Sequence, residues 1–277
     1  MSWQEGAMDS STQTQSRRVD ATLVHPAVEL RLLGGFKLLK HNQPLSVRPG
    51  GKTEVLLVNL ALRLPGGMDR GELLSVLWPA SDEALASQSL DTLVHSLRRA
   101  VGDALGGAAP VVRTAGRLRL NTELGIGVDI EAFESEASHG DRLRRAGSPA
   151  EAMTCYERAA SLYEGDLVVG SEIRHLLERE RLRARYLELL ANLAVAQFEM
   201  GEYAASRDWA QLLLQCDPCR EDAHRLVMRC DVRLGRRAQA LRQYATCVEI
   251  LRREFTADPE PATRDLYESV RTTPTSV

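Results

Sequence analysis

Residues 87–101, SQSLDTLVHSLRRAV, decide how the rest of the chain is read. At helical period, Leu90, Leu93, Val94 and Leu97 stack on one face. At about 100° per residue, Gln88, Thr92, His95 and Arg99 fall on the opposite face, with Ser96 beside them. An amide, a hydroxyl, an imidazole and a guanidinium in one row are groups that hydrogen-bond to base edges and phosphates in a major groove. The same pattern also describes the solvated face of an ordinary amphipathic helix. The flanking segments have to separate the two readings.

Upstream, Val28, Leu30 and Leu32 alternate with Glu29 and Arg31, the period of a half-buried strand. Gly34-Gly35 interrupts the run, residues 36–40 resume it, and His41 to Pro44 supply turn residues before a returning strand at Leu45 and Val47. The range 52–63 predicts a first helix, with Leu56, Leu57, Leu60 and Ala61 on one stripe. Asp69 predicts the cap of a second, carrying Leu73, Leu74, Leu77 and Trp78. Ser81 or Asp82 caps the third, which contains residues 87–101. Downstream, residues 111–120, VVRTAGRLRL, predict a hairpin turning at Ala115-Gly116. By residue parity Val112, Leu118 and Leu120 share one face, and Arg113, Arg117 and Arg119 share the other. Placed directly after the donor-rich helix, such a basic ribbon suits a wing lying along a phosphate backbone. Sheet, three helices and hairpin together predict a winged helix-turn-helix over residues 28–128, with the third helix in the groove. Residues 1–27, polar and without periodicity, read as a disordered tail.

Residues 129–277 predict helices almost throughout, at 130–145, 150–164, 172–200, 203–215, 221–234, 238–255 and 261–271. Gly201 and Gly235 stand 34 residues apart, the length of a tetratricopeptide unit. Ala204 and Ala238 follow those glycines by three, and Gly147 with Ala150 repeats the spacing. Tyr156, Trp209 and Tyr244 follow eight or nine residues after the three glycines. Small residues would let paired helices approach, and the rings would fill the gaps. The fold class is therefore mainly α with a small antiparallel β component: a winged helix-turn-helix followed by a TPR-like repeat domain.

The net charge of −3 argues against polyanion binding by bulk charge, but the charge is uneven. Residues 28–128 hold twelve Lys and Arg against nine Asp and Glu, whereas residues 129–277 hold 21 against 26. A mildly basic module thus precedes an acidic one. Five scattered cysteines, no secretory signal and no apolar run of about 18 residues point to a cytoplasmic protein without a membrane partner.

The order of several motifs resembles one known family. LRLLGGFKL at residues 30–38, GELLSVLWPA at 71–80, LRRAV at 97–101 and VDIEAF at 128–133 are its marks. So are REDAHRLVMRCDVRLGRRAQALRQYATCVEIL at 220–251 and DPEPATRDLYE at 258–268. The chain resembles the Streptomyces antibiotic regulatory protein type of regulator, a winged helix followed by a bacterial transcriptional activation domain. That resemblance implies binding to direct repeats in promoter double-stranded DNA and recruitment of RNA polymerase. Two residues depart from the family pattern: Asp91 sets a carboxylate near the DNA-facing row, and Asp231 stands where an aromatic is common.

On this reading Gln88, Thr92, His95, Ser96 and Arg99 face bases, while Lys52, Thr53, Arg98, Arg113, Arg117 and Arg119 hold phosphates. An alternative from another class is a TPR-type interaction or effector-sensing module, for a peptide or small molecule, whose winged helix binds DNA weakly or not at all. A homodimer on DNA is compatible with the short site that one winged helix reads. RPGGKT at residues 48–53 falls short of a phosphate-binding loop, because Ser46 stands where the first glycine is required. Cys216 and Cys219 with His224 and Cys230 have some of the spacing of a zinc site, but a loop between repeats with buried small hydrophobes explains them as well. His139 and His175 stand alone in charged helical contexts. No nucleophile-and-base spacing stands out, so neither an enzyme nor a cofactor is expected.

Overall fold

The structure is a computed structural model that describes residues 26–167 and 173–272. The tail expected at 1–27 therefore lies outside the described residues except for Pro26 and Ala27, as does the expected helix start at residue 172.

Strands β1 (Val28–Arg31), β2 (Lys37–Lys40), β3 (Gln43–Pro44) and β7 (Ile126–Val128) form one sheet in the order β3-β2-β1-β7. β1 pairs antiparallel with β2, Leu30 opposite Leu38, and parallel with β7, Leu30 beside Val128. Its alternation is the expected one, with Val28 and Leu30 buried. The returning strand is shorter than expected: Leu45 makes one more bond, its N–H donating to Leu38 O at 2.8 Å, and the ladder stops before Val47.

Helices α1 (Lys52–Ala61), α2 (Arg70–Leu77) and α3 (Glu83–Val101) follow. Asp69 caps α2, its side chain accepting from the N–H groups of Gly71 and Glu72, and Asp82 caps α3 by accepting from Ala84 N. Strands β4 (Met68–Asp69), β5 (Val111–Thr114) and β6 (Arg117–Leu120) form a second sheet in the order β4-β6-β5. The hairpin turns at Ala115 and Gly116, both at positive φ.

Seven helices complete the described chain: α4 (Asp129–Arg145), α5 (Pro149–Leu162), α6 (Ile173–Glu199), α7 (Tyr203–Cys216), α8 (Glu221–Arg233), α9 (Arg237–Phe255) and α10 (Pro261–Thr272). They pack as the pairs α4–α5, α6–α7 and α8–α9, with α10 against α8 and α9. Gly147, Gly201 and Gly235 each end the first helix of a pair at positive φ, where glycine carries no steric penalty. The alanines three residues later do not do the packing expected of them, because Ala150, Ala204 and Ala238 are exposed. The small residues that face the partner helix come two positions further on: Ala152, Ser206 and Ala240 are buried at 2%, 0% and 0% exposure. Helix N-termini lead with an outward first turn, which moves the inward position along.

In the first pair the two helices come close together. A Cβ added to Gly140 in α4 would lie 2.5 Å from Tyr156 Cε1 in α5. Gly140→Ala is therefore expected to lower stability by about 1–3 kcal/mol through overpacking, read as a reduced denaturation midpoint. The Tyr156 hydroxyl donates to Asp141 Oδ1 at 2.8 Å, and Arg185 of α6 grips the other oxygen of that carboxylate.

Two clasps join the first sheet to the helical pairs. No residue separates β7 from α4, and the first residue of α4, Asp129, is 4% exposed. Its Oδ2 accepts from the N–H groups of Leu32 and Leu33 at 2.7 and 2.8 Å, and its Oδ1 accepts from Ile130 N at 2.8 Å. On the other side Glu164, just after α5, pairs with Arg31 at 3.2 Å and Lys37 at 2.6 Å.

Candidate nucleic-acid interface

The buried seam of α3 is Ala86, Leu90, Leu97 and Val101, with Leu93 and Val94 half-buried beside it. The opposite row of Gln88, Thr92, His95 and Arg99 is exposed among the described residues, as is Ser96. Among the described residues Gln88, His95, Ser96 and Arg99 have no side-chain partner, so their polar groups face solvent. Thr92 differs: its hydroxyl donates to Gln88 O one turn back at 2.9 Å, leaving its oxygen as an acceptor.

Asp91 has a partner. Arg70, the first residue of α2, reaches across with Nη2 to Asp91 Oδ1 at 2.8 Å and to Ser87 Oγ at 2.7 Å. The carboxylate beside the outer row is thereby neutralised by a guanidinium from the bracing helix.

The residues expected to meet phosphate are less uniform. Lys52, at the start of α1, donates its ammonium to Leu77 O and lies 5.9 Å from the Trp78 ring centroid. Thr53 is half-buried beside it. Arg98 donates to Gly107 O at 2.9 Å. Arg117 donates from Nε and Nη2 to the carbonyls of Gly66 and Gly67, at 3.0 and 2.8 Å. Arg119 donates to Thr114 Oγ1 at 3.1 Å and to Glu123 at 2.9 Å. Arg113 alone of the six has an exposed guanidinium with no partner among the described residues.

The hairpin register corrects one expectation. Val112 pairs with Arg119 and Arg113 with Leu118, and directly paired residues point to the same side of a sheet. Arg117 and Arg119 therefore share a face with Val112 and Thr114, while Arg113 lies on the other face with Val111, Leu118 and Leu120. Equal parity marks one face only within a strand. A two-residue turn pairs odd positions with even ones, so the three arginines divide two to one.

Two residues at this surface were missed in the sequence. Arg48, exposed on the loop before α1, lines a cleft with Lys52, Thr53 and Leu93. Leu85, in the first turn of α3, is 63% exposed. Both could have been found by continuing the helical wheel one turn back and by counting every cation near the start of α1.

Two further residues singled out in the sequence have partners in the helical half. His224 is buried, with Nε2 2.9 Å from Pro218 O and Nδ1 2.7 Å from Gln243 Nε2, so both ring nitrogens serve the junction of α7, α8 and α9. Asp231 is 1% exposed and pairs with Arg207 Nε at 2.8 Å. Among the described residues no helix is long and apolar enough to cross a membrane.

A family model described as the bacterial transcriptional activator domain matches residues 128–271. The regulatory protein AfsR of Streptomyces griseus is 25% identical over 242 residues, 87% of this chain and 24% of AfsR. The chain thus spans about a quarter of the length of that relative. The regulatory protein DnrI of Streptomyces peucetius is 26% identical over 252 residues, 88% of this chain and 92% of DnrI. Among solved structures, EmbR of Mycobacterium tuberculosis, in complex with a low-affinity phosphopeptide, superposes with a TM-score of 0.69 at 20% identity. That superposition covers 89% of this chain and 65% of EmbR, and it shows a shared fold. With more than half its length matched by that model, the chain belongs to the bacterial transcriptional activator domain family, and regulatory proteins of Streptomyces align along nearly all of it.

Proposed function

We propose that the chain activates transcription by binding specific sites in double-stranded DNA as direct repeats and by recruiting RNA polymerase through its helical half. The observation that carries this reading is the uncovered outer row of α3, where Gln88, His95 and Arg99 are exposed and unpartnered among the described residues. Gln88, Thr92, His95, Ser96 and Arg99 contact base edges. Lys52, Thr53, Arg98, Arg113, Arg117 and Arg119 contact phosphates, the arginines already bonded to carbonyls using their remaining N–H groups.

Selection of bound duplexes from random DNA tests the reading: a short motif repeated in one orientation at fixed spacing is expected, and a pool no richer than its input rejects it. On the selected site, Arg99→Ala is expected to cost about 1–3 kcal/mol and to relax specificity at one position. Arg113→Ala should weaken all duplexes alike and reduce the slope of log affinity on log salt by about one. Equal losses on every duplex for both variants would remove Arg99 from the base-reading set.

A second reading, in which a small-molecule effector adjusts the regulator, is favoured by a cleft of about 480 Å³ between β1, β7, α4 and α5. Its walls carry the pairs Glu29–Arg31 and Glu136–Arg158 over an apolar floor of Val128, Ala132 and Leu162. A ligand taken there would raise the melting temperature of the free protein.

A further inference from the structure

The N-terminal half of the α3 outer face is less polar than its residue types suggest. Leu85 is 63% exposed. At about 100° per residue it lies between Thr92 and Ser96 on the helix wheel, inside the outer row. Two hydroxyls beside it are turned back on the helix: Ser89 donates to Leu85 O at 2.8 Å and Thr92 to Gln88 O at 2.9 Å. With its hydroxyl proton so engaged, Thr92 has its methyl group and its oxygen lone pairs left to offer a ligand. Leu85, Leu93 and Trp78 line one open cleft, with Gln88, Ser89, Thr92 and Ser96 between them.

Leucine gains nothing from water, and among the described residues Leu85 is left mostly uncovered. What would cover it must suit the rim as well. The rim carries Lys52 and the N-terminus of α1, where Gly51 supplies no side-chain cap, and Arg48 lies next to both. A cationic rim beside an exposed leucine and an indole fits a polyanion that also presents a small apolar group in its groove. In duplex DNA that group is the 5-methyl of thymine, the apolar feature of the major groove.

We infer that Leu85, with the Thr92 methyl, is a thymine-reading contact that fixes a T·A pair at one end of each recognised repeat. The inference rests on the proposal that α3 enters the major groove. It assigns apolar readout to Leu85 and the Thr92 methyl and leaves hydrogen-bonded readout to Gln88, His95 and Arg99.

The test replaces thymine by deoxyuridine, one position at a time, in the site selected from random duplexes. The full chain is expected to lose about fourfold in affinity at one thymine, the value of one buried methyl group. Leu85→Ala should bind the selected site about as much more weakly and be indifferent to deoxyuridine at that position, with sensitivity elsewhere unchanged. Leu85→Met should restore part of the discrimination. Because Leu85 is mostly exposed, neither substitution threatens folding. Undiminished sensitivity in Leu85→Ala, or no sensitive thymine in the unaltered protein, overturns the inference while leaving α3 in the groove. Failure to select any site overturns both.

Discussion

Arg207→Ala is expected to lower the stability of the protein by about 3 kcal/mol, measured as the free energy of unfolding in denaturant. The cause is the residue left behind. Asp231 in α8 is 1% exposed, and its Oδ1 is held by Arg207 Nε of α7 at 2.8 Å. The guanidinium also reaches Gln211 Oε1 at 3.0 Å, which fixes its plane. Removing it strands a carboxylate where water reaches poorly, at a cost in the lower part of the range for broken buried pairs, because Arg207 itself is 21% exposed. The pair as a whole is worth far less than either half is worth in the presence of the other. The double variant Arg207→Met with Asp231→Leu should regain most of the loss. A double variant as unstable as the single one would show that the ion pair itself, and not the stranded charge, sets the effect.

Asp129→Ala should cost about 3–5 kcal/mol, since three backbone N–H groups, of Leu32, Leu33 and Ile130, lose their acceptor. All three belong to buried residues, those of Leu32 and Leu33 the most completely. Asp129→Asn should cost less, because the amide oxygen still accepts from one side of the clasp. Burial pushes the Asp129 carboxyl up to about 6, against the pull of its three N–H donors. The folded protein therefore takes up a proton at higher pH than the unfolded chain does. The stabilisation from that proton is complete below about pH 4 and is lost as pH rises through about 6. Asp129→Asn abolishes this term, so the advantage of the unaltered protein over the variant should be smaller at pH 7 than at pH 4. An advantage that grew with pH instead would contradict the raised carboxyl.

Most helices were legible because their signals are local. Asp69 and Asp82 cap where a short polar side chain precedes an apolar stripe, and the glycine spacing at 147, 201 and 235 marks the turns of the repeats. What escaped was pairing across the chain. The division of the hairpin arginines depends on register, which a parity count within one strand does not contain. The inward positions of the repeats were displaced by two because the packing of a helix start is decided by its neighbour. At the site, the outer row of α3 followed from the wheel alone, whereas the neutralisation of Asp91 depends on Arg70, 21 residues earlier. Nothing in the spacing of those two residues announces that contact.

The direct passage from β7 to α4 has a mechanical consequence if the protein sits on repeated DNA sites. Without slack between the segment facing the duplex and the segment facing its partners, each bound copy must point its helices outward at an azimuth dictated by the double helix. Lengthening the gap between two repeats by about five base pairs, half a turn of the duplex, would send the neighbouring copies to opposite flanks of the promoter. A hinge of a few glycines inserted after Val128, combined with Asp129→Ala and Glu164→Ala to open both clasps, should make the same promoter tolerant of that change.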